Sequence, residues 1–272
     1  MPRNLAVLRS EVELALAGRV SAPFTYRERK VVETVSIGIP EIDALAGGLP
    51  RGGLTEICGP PCSGRTSLLL SALAARTKHA EACALIDGRD AFDPHSAESA
   101  GVELKQLLWV RCRNIEQAFR AADLLLQGGG FGFIALDLTD VPRETVRQVP
   151  LNTWFRFRRA VEDTPAILAV LEQESNARTC ASLVLQLEAR KACWVAMNES
   201  QDAESSRHSF ASLLGGFGVR AKLLRSRIQM PQAVHLHQGF CLQRNGGAAG
   251  MFQTKTTWSY SNAVPVKIKS TE

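Results

Sequence analysis

The chain has 272 residues, a formal net charge of +5 and a hydrophobic fraction of 45%. This length and composition suit one large α/β domain with a small appendage, and they exclude a wholly disordered chain. No apolar run approaches the roughly 20 residues that span a bilayer, and the modest positive charge permits an acidic partner without requiring one.

The beginning of the chain has neither the apolar stretch nor the cleavage site of a secretory signal. The seven cysteines are scattered and show no paired metal-ligand spacing. An odd number of such cysteines is typical of free thiols in a reducing compartment. We therefore expect a cytoplasmic protein with reduced cysteines.

The first segment, residues 4–18, has the spacing of an amphipathic helix, with Leu5, Leu8, Val12 and Ala15 on one face. Two interpretations remain open for it. The helix packs against its own core, or it is an arm that docks on another protomer.

The stretch around which the chain is organised is a glycine-bounded loop between an apolar run and a helical run. Its residues are Gly59, Pro60, Pro61, Cys62, Ser63, Gly64, Arg65, Thr66 and Ser67. Strand, loop and helix in this order are typical of a P-loop, whose backbone N–H groups cradle phosphate at the start of a helix. We predict this segment as the nucleotide-binding loop.

One residue of the loop departs from the P-loop pattern G-x-x-x-x-G-K-[ST], because Arg65 stands where lysine is expected. Lysine is a compact point charge, whereas arginine is a wider planar fork. Arg65 therefore keeps the positive charge but not the shape that fits between the β- and γ-phosphates.

Apolar strands alternate with helices along the rest of the core. Strands are predicted at 54–58, 82–87, 107–110, 131–137, 166–173, 181–187, 192–196 and 220–228, with helices at 67–73, from Pro94, from Ile115 and at 154–162, and a polar turn-like stretch at 198–209. Unbroken apolar strands are typical of a parallel sheet that is buried on both faces. The predicted fold class is thus α/β, a mostly parallel central sheet flanked by helices, with ligands at the carboxyl ends of its strands.

The predicted domain organisation has three parts. An N-terminal helix and linker cover residues 1–32, and the core covers residues 33–245. A C-terminal extension, residues 246–272, is expected to be partly loose.

The strand that ends in Asp137 has the form of a Walker-B strand, in which a carboxylate emerges at the carboxyl edge of the sheet. Together with the hydroxyl of Thr66, Asp137 would hold Mg²⁺ if a nucleotide binds. These two residues are the predicted metal ligands.

Three stretches of the core resemble the RecA recombinase family. Residues 36–67 are similar to the RecA lead-in and P-loop, residues 86–94 to its "IDAEHALDP" segment, and residues 220–231 to a late strand that carries paired interface lysines. The resemblance extends in one order over about residues 33–235. It implies a RecA-like P-loop core and a role in DNA recombination or repair.

The departures from RecA bear on catalysis. The family glutamate that orients the attacking water is replaced by Arg89, and a cation cannot serve as that base. Gln173 matches the family glutamine that senses the γ-phosphate, but the stretch after it is much shorter than a DNA-binding loop. Arg225 and Arg227 stand where RecA has lysines that reach a neighbouring protomer. No residue is therefore assigned as catalytic.

This combination resembles the ImuA family, RecA paralogues of damage-induced mutagenesis cassettes, on the evidence of residues 136–143 and 154–159 as well. The resemblance implies an accessory protein of the SOS response and translesion synthesis. It would contact RecA filaments or error-prone polymerase subunits in the cytoplasm, in part at the nucleoid, with weak or indirect contact to single-stranded DNA. The RecA acidic C-terminal domain is not expected in this chain.

Three alternatives remain open. The chain is a DNA-dependent ATPase in which Asp87 or Asp90 replaces the missing glutamate, or it binds ATP or ADP with Mg²⁺ without cleaving it, or it resembles the more distant SulA-type cell-division inhibitors. The first hypothesis, the accessory role, is compatible with binding no nucleotide at all.

Aromatic and basic residues alternate in the helix at 154–159, which allows two interpretations. Trp154, Phe155 and Phe157 would stack on single-stranded DNA, or they would pack in the core while the arginines between them face solvent. Helical spacing favours the second.

Overall fold

The computed structural model describes Val7, Leu14 and residues 32–162, 164–196, 212–227 and 249–255. The chain divides into two compact units, Met1–Val31 and Val32–Glu272. In the first unit Val7 and Leu14, which fall within the predicted helix at 4–18, are helical, and both are exposed. The rest of that helix, the linker and the polar stretch at 198–209 lie outside the described residues.

The second unit is built on a central sheet. The described strands are β1 (Thr34–Val35), β2 (Leu49–Pro50), β3 (Gly53–Cys58), β4 (Cys83–Asp87), β5 (Leu107–Arg111), β6 (Phe133–Asp137), β7 (Ile167–Glu172), β8 (Leu183–Ala196), β9 (Ser212–Ser226) and β10 (Ala249–Lys255). Strands β1 and β2 form a small antiparallel pair, and the others form one eight-stranded sheet in the order β10-β9-β8-β3-β7-β6-β4-β5.

The strands from β8 to β5 in that order are parallel, and β9 and β10 continue the sheet in antiparallel pairing. The described helices are α1 (Pro40–Ala46), α2 (Arg65–Thr77), α3 (Pro94–Ser99), α4 (Ile115–Gly128), α5 (Arg143–Arg147) and α6 (Leu151–Glu162), with 3₁₀ turns at Leu104–Gln106 and Arg178–Cys180. Strand–helix alternation and the mostly parallel sheet confirm the predicted α/β fold class.

Local sequence signals set the ends of several helices. The Asp93 carboxylate accepts hydrogen bonds from the backbone N–H groups of His95 and Ser96 at the start of α3, and Asn114 accepts from Gln117 at the start of α4. Such caps satisfy N–H groups that have no partner in the first helical turn. The helix starts at Pro94 and Ile115 agree with the starts that were predicted from the sequence.

Hydrophobic cores lie against both faces of the sheet. Every residue of β3, β4 and β7 is buried, which explains why these strands are mainly apolar. Residues of α1 and α2 contribute to one core and residues of α4 and α6 to the other. Among the described residues, no helix has the length and apolar character that crossing a membrane requires.

The aromatic residues of α6 belong to the second core. Trp154 and Phe157 are buried and pack edge-to-face on Phe119 of α4, with ring centroids 5.7 and 5.6 Å away. Arg156 faces outward and forms a bidentate ion pair with Asp123. The packing interpretation is therefore confirmed for Trp154 and Phe157, which cannot stack on DNA from inside the core. It is wrong for Phe155, which is 43% exposed because it lies on the opposite face of α6.

Two features of the antiparallel edge differ from the sequence expectation. Residues 181–187 and 192–196, predicted as a pair of strands, are parts of one long strand, β8. The mostly polar residues at 188–191 separate the two apolar runs, and one irregularity in the pairing of β8 with β9 falls there, between Ala189 and Ala192. In addition, Ala249–Lys255, assigned to the C-terminal extension, pairs with β9 as the edge strand of the sheet.

Candidate functional site

The carboxyl ends of neighbouring parallel strands bring the predicted site residues to one edge of the sheet. Asp87 at the end of β4 is in register with Asp137 at the end of β6, and Asp137 is in register with Leu171 on β7. The P-loop follows β3, whose last residue is paired with Glu172. The predicted nucleotide-binding loop, Asp137 and Gln173 are therefore gathered at the edge where parallel α/β sheets bind ligands.

The two glycines of the P-loop are required by its close packing on the sheet. Gly64 has a φ of +91°, and a Cβ atom there would lie 2.7 Å from Cγ2 of Val219 on β9. A Cβ atom at Gly59 would lie 2.4 Å from the carbonyl oxygen of Leu187 on β8. Both distances are well below van der Waals contact, so the loop conformation depends on glycine at both positions.

Several hydrogen-bond donors of the P-loop have no acceptor within the described part of the protein. Within the described part of the chain, the backbone N–H groups of Arg65, Thr66 and Ser67 donate to no protein acceptor, and α2 has no side-chain cap. Ser63 Oγ and Arg65 Nη1 are also buried there without a hydrogen-bond partner. Unpartnered donors at the start of a helix of this length suit an oxyanion, because each would gain a charge-assisted hydrogen bond.

The Arg65 side chain is buried within the candidate site. Only 7% of the residue is exposed, and burial lowers the pKa of its guanidinium although Asp137 and Asp140 act in the opposite direction. The cation thus lies at the carboxyl edge of the sheet near the two aspartates, and it forms no ion pair with either among the described side chains. It adds positive charge to the oxyanion cradle.

Asp137 is the carboxylate that faces this cradle. Its oxygen accepts a hydrogen bond from the backbone N–H of Thr139 at 2.9 Å. Burial raises its pKa, and the nearby carboxylates of Asp87 and Asp140 add to that rise. The predicted metal ligands are thus Thr66, exposed in the first turn of α2, and a partly buried Asp137.

The residues present fit a phosphate group better than they fit a metal ion. The cradle supplies open N–H groups, a serine hydroxyl and a guanidinium, whereas no group of three or more His, Cys, Asp or Glu residues with metal-site geometry occurs among the described residues. A nucleotide would bring Mg²⁺ with its phosphates, and Thr66 and Asp137 would hold that ion.

The carboxylates at the end of β4 are committed to the fold. Asp87 accepts hydrogen bonds from the backbone N–H groups of Arg89 and Phe92 and from the indole N–H of Trp109. Asp90 forms two hydrogen bonds of 2.6 Å with Arg111, which lowers the pKa of the Asp90 carboxyl. Arg89 itself is exposed.

Hydrogen bonds and ion pairs fix the whole loop that follows β7, residues 173–177. Gln173 donates to the carbonyl oxygen of Thr139 at 3.1 Å, which links it to the segment after Asp137. Glu174 forms ion pairs with Arg143 and Arg147 of α5. The next three residues donate hydrogen bonds to the buried carboxylate of Glu56 on β3.

Arg225 and Arg227 lie away from the P-loop of their own chain. Arg225 is paired with Val184 near the start of β8, and the backbone N–H of Arg227 donates to Ser182. Ser182 in turn donates to Leu54 at the start of β3, whereas the P-loop follows the end of that strand. The two arginines are thus near the amino-terminal edge of the sheet.

Both guanidinium groups contact the 3₁₀ turn after β7. Arg225 donates to the carbonyl oxygen of Arg178, and Arg227 donates to that of Thr179 at 2.6 Å. Burial lowers the pKa of Arg227, and the positive charges of Arg158 and Arg225 add to this effect. We call Arg158, Arg225 and Arg227 the arginine cluster.

Sequence reasoning missed two groups of contacts at the carboxyl edge of the sheet. The buried carboxyl groups of Glu56 and Glu172 and the ion pairs between Glu174 and α5 join residues that are far apart in the chain. A glutamate within an otherwise apolar strand was the only signal for the first, and it does not reveal its partner.

Comparisons with known proteins cover the first half of the core. A family model described as the RecA N-terminal domain matches residues 16–146. RecA proteins from three Acinetobacter baumannii strains, ATCC 17978, AYE and SDF, are each 40% identical over 110 residues, which is 40% of this chain and 32% of the relative. The chain therefore spans about a third of the length of these relatives. Together with the mostly parallel sheet and its P-loop, these matches support a RecA-like superfamily core in this chain.

Proposed function

We propose that this chain is an accessory RecA paralogue of the ImuA type. It acts in DNA repair and damage-induced translesion mutagenesis through protein–protein contact, and its ATPase site is degenerate. The observation that carries the proposal is the state of the carboxylates after β4. Asp87 and Asp90 are both engaged, and Arg89 occupies the position of the family glutamate.

Water activation for phosphoryl transfer needs a carboxylate that is free to accept a proton. Asp87 already accepts three hydrogen bonds that shape the loop after β4. Asp90 is held by Arg111, and a lowered pKa makes it a weaker base. These contacts support a site that binds an anion and does not turn it over.

The loop after β7 supports the same proposal. A DNA-binding loop must reach out to the strand, but residues 173–177 are joined to β3, α5 and the Thr139 segment by hydrogen bonds and ion pairs. Detaching the loop would break all of these contacts at once. Single-stranded DNA contact would therefore be weak or indirect.

The arginine cluster is the contact surface that we propose for an acidic partner. The positive charges of the cluster repel one another. Among the described residues, the cluster forms one ion pair, between Arg158 and Glu162 at 3.7 Å. Like charges held together by backbone contacts favour an incoming negative group. A RecA protomer with bound nucleotide or an acidic polymerase surface has this chemistry.

Co-elution on size-exclusion chromatography tests the proposal, with the purified chain mixed with RecA filaments and with error-prone polymerase subunits. Arg227→Gln removes a charge from the cluster but keeps a donor for the carbonyl oxygen of Thr179. Arg159→Gln removes an exposed charge from α6 as the matched control. We expect association that Arg227→Gln weakens more than Arg159→Gln, and failure to associate with any of these proteins would refute the accessory role.

A second candidate function is a nucleotide-gated binder, which the open donors of Ser63 and Arg65 favour. A ligand that binds only the native state stabilises it by about 2.7 kcal/mol at a hundredfold excess over its Kd. A melting-temperature rise with ATP and Mg²⁺, but not with inorganic phosphate, would support this candidate. An equal rise with phosphate alone would instead indicate an oxyanion cradle that does not recognise a nucleotide.

A further inference from the structure

Two carboxyl groups that are not among the predicted site residues meet where β3 and β7 lie side by side. Glu56 lies in the middle of β3 and Glu172 at the end of the neighbouring parallel strand β7, and both residues are fully buried. One oxygen of each accepts from the same backbone N–H, that of Asn176, at 2.8 and 3.1 Å. The two carboxyl groups also lie within hydrogen-bond reach of each other.

The described surroundings supply no cation to this carboxyl pair. None of the ion pairs among the described residues includes Glu56 or Glu172, and the groups that contact them are a hydroxyl, an amide and backbone N–H groups. Two ionised carboxylates in contact at such burial would suffer both desolvation and mutual repulsion. The pair is therefore stable only with a proton between its members.

The distribution of donors locates that proton. Glu56 accepts from Ser175 Oγ at 2.6 Å, from Asn176 N at 2.8 Å and from Ala177 N at 2.6 Å. Glu172 accepts from the side chain of Asn176 at 2.8 Å and shares the backbone N–H of that residue. Glu56 is thus the carboxyl group that accepts the larger number of hydrogen bonds from the loop. Burial and the neighbouring Glu56 raise the pKa of Glu172 well above its ordinary range.

We infer that Glu56 and Glu172 form a proton-sharing latch, which fastens the loop after β7 to the sheet and loosens as the pH rises. Glu172 carries the proton and donates it to Glu56, and Glu56 in turn holds the N–H groups of the loop. When the proton leaves, the two negative charges repel each other and the donors of the loop no longer meet a single well-placed acceptor.

The latch acts on the candidate site because the same loop is joined to it. Gln173 contacts the segment after Asp137, and Glu174 contacts α5. If the loop moves away from Glu56, it also displaces Gln173 and Glu174 and so strains both of these contacts. The protonation of a buried pair is thereby coupled to the position of the Walker-B segment.

The other titratable groups around the carboxyl pair do not replace this proton. Cys58 on β3 and Cys180 in the 3₁₀ turn face the pair, and burial raises the pKa of both thiols, that of Cys58 to about 12. Both therefore remain neutral at physiological pH. The nearest cations act on these thiols: Arg65 on Cys58, and Arg158 and Arg227 on Cys180.

The sign of the pH effect follows from the position of the proton. The unfolded chain releases the Glu172 proton near its ordinary pKa of 4.5, whereas the folded chain keeps it to higher pH. Between these two values the native state binds one more proton, so its stability falls as the pH rises. The contribution of one such group raises the unfolding equilibrium constant about tenfold per pH unit.

Two isosteric substitutions test the latch. Glu172→Gln supplies a permanent N–H donor to Glu56 and removes the titrating proton. Glu56→Gln leaves Ser175, Asn176 and Ala177 with an amide that cannot accept from all of them. We expect denaturant titrations between about pH 5.5 and about pH 8 to show a shallower loss of stability in Glu172→Gln than in the wild type, by up to a tenfold change in the unfolding constant per pH unit.

A local measurement separates the latch from global stability. Hydrogen exchange of the Asn176 and Ala177 amides is expected to accelerate with pH beyond its intrinsic rate in the wild type, to lose that excess in Glu172→Gln, and to be fast at every pH in Glu56→Gln. An infrared band of a buried protonated carboxyl should vanish in Glu172→Gln. Equal pH slopes in the wild type and Glu172→Gln, or a loss of stability in Glu172→Gln as large as in Glu56→Gln, would overturn the inference.

Discussion

Two arginines of helix α2 are equally buried but differ in their partners, and this difference predicts opposite effects of the same substitution. Arg65 and Arg76 are each 7% exposed. Each side chain has one buried nitrogen without a partner among the described groups, Nη1 in Arg65 and Nε in Arg76. Only Arg76 has other contacts: it forms an ion pair with Glu81 at 3.4 Å and donates to the carbonyl oxygen of Ser36. Methionine retains much of the length of arginine and carries no charge.

We expect Arg65→Met to stabilise the ligand-free protein. A buried donor without a partner costs about 1–3 kcal/mol, so removing it gains a similar amount. The lost attraction to Asp137 and Asp140 offsets part of this gain, which leaves a net stabilisation of about 1 kcal/mol. Arg76→Met loses charged hydrogen bonds worth about 1.5–3 kcal/mol. The net cost is smaller, about 1–2 kcal/mol, because Arg51 remains paired with Glu81 at 2.7 Å and because the unpartnered Nε of Arg76 is removed as well.

Urea titrations followed by circular dichroism measure both variants under the same phosphate-free conditions. For a protein of this size, each kcal/mol corresponds to about 2–4 °C in melting temperature, so thermal scans give an independent check. Arg65→Met should also lose any stabilisation by added phosphate. A destabilisation of Arg65→Met as large as that of Arg76→Met would refute the reasoning, because it would require a native partner for the Arg65 guanidinium.

Three further predictions concern thiol access, the helical core and the P-loop. A thiol reagent should label exposed Cys62 in the native protein within minutes and should not label Cys58, because burial raises the pKa of the Cys58 thiol to about 12. Mass spectrometry of the peptides measures both, and labelling of Cys58 before Cys62 would contradict this prediction. Phe157→Ala should cost about 3–5 kcal/mol in urea titrations and Phe155→Ala less than about 1 kcal/mol, and similar costs would contradict the assigned faces of α6. Gly64→Ala should cost about 1–3 kcal/mol because the residue has a positive φ, and an unchanged urea midpoint would argue against that loop conformation.

The strands and caps of the core were predictable because their signals are local. An apolar run that ends in Asp137 indicates a strand within a few residues. In the same way, Asn114 before a helical run indicates a helix start. The P-loop was equally local, since two glycines bound a turn between strand and helix. These elements were therefore found with nearly correct bounds.

The contacts that decide the chemistry were not predictable from such signals. Ser175 and Glu56 are 119 residues apart in the chain, and Gln173 meets Thr139 across 34 residues. The sequence indicated that Asp87 was a carboxylate near the site, but not that three hydrogen bonds engage it. Likewise, the burial of the Arg65 side chain depends on how tightly the loop packs against β8 and β9.

The central claim is that this RecA-like core binds through contact and does not turn over ATP. Phosphate release by the purified protein, measured with ATP, Mg²⁺ and single-stranded DNA, tests it most directly, with Asp137→Ala as the control. We predict that DNA does not stimulate the rate and that the wild type and Asp137→Ala give the same rate. Robust DNA-stimulated phosphate release that Asp137→Ala abolishes would contradict the claim.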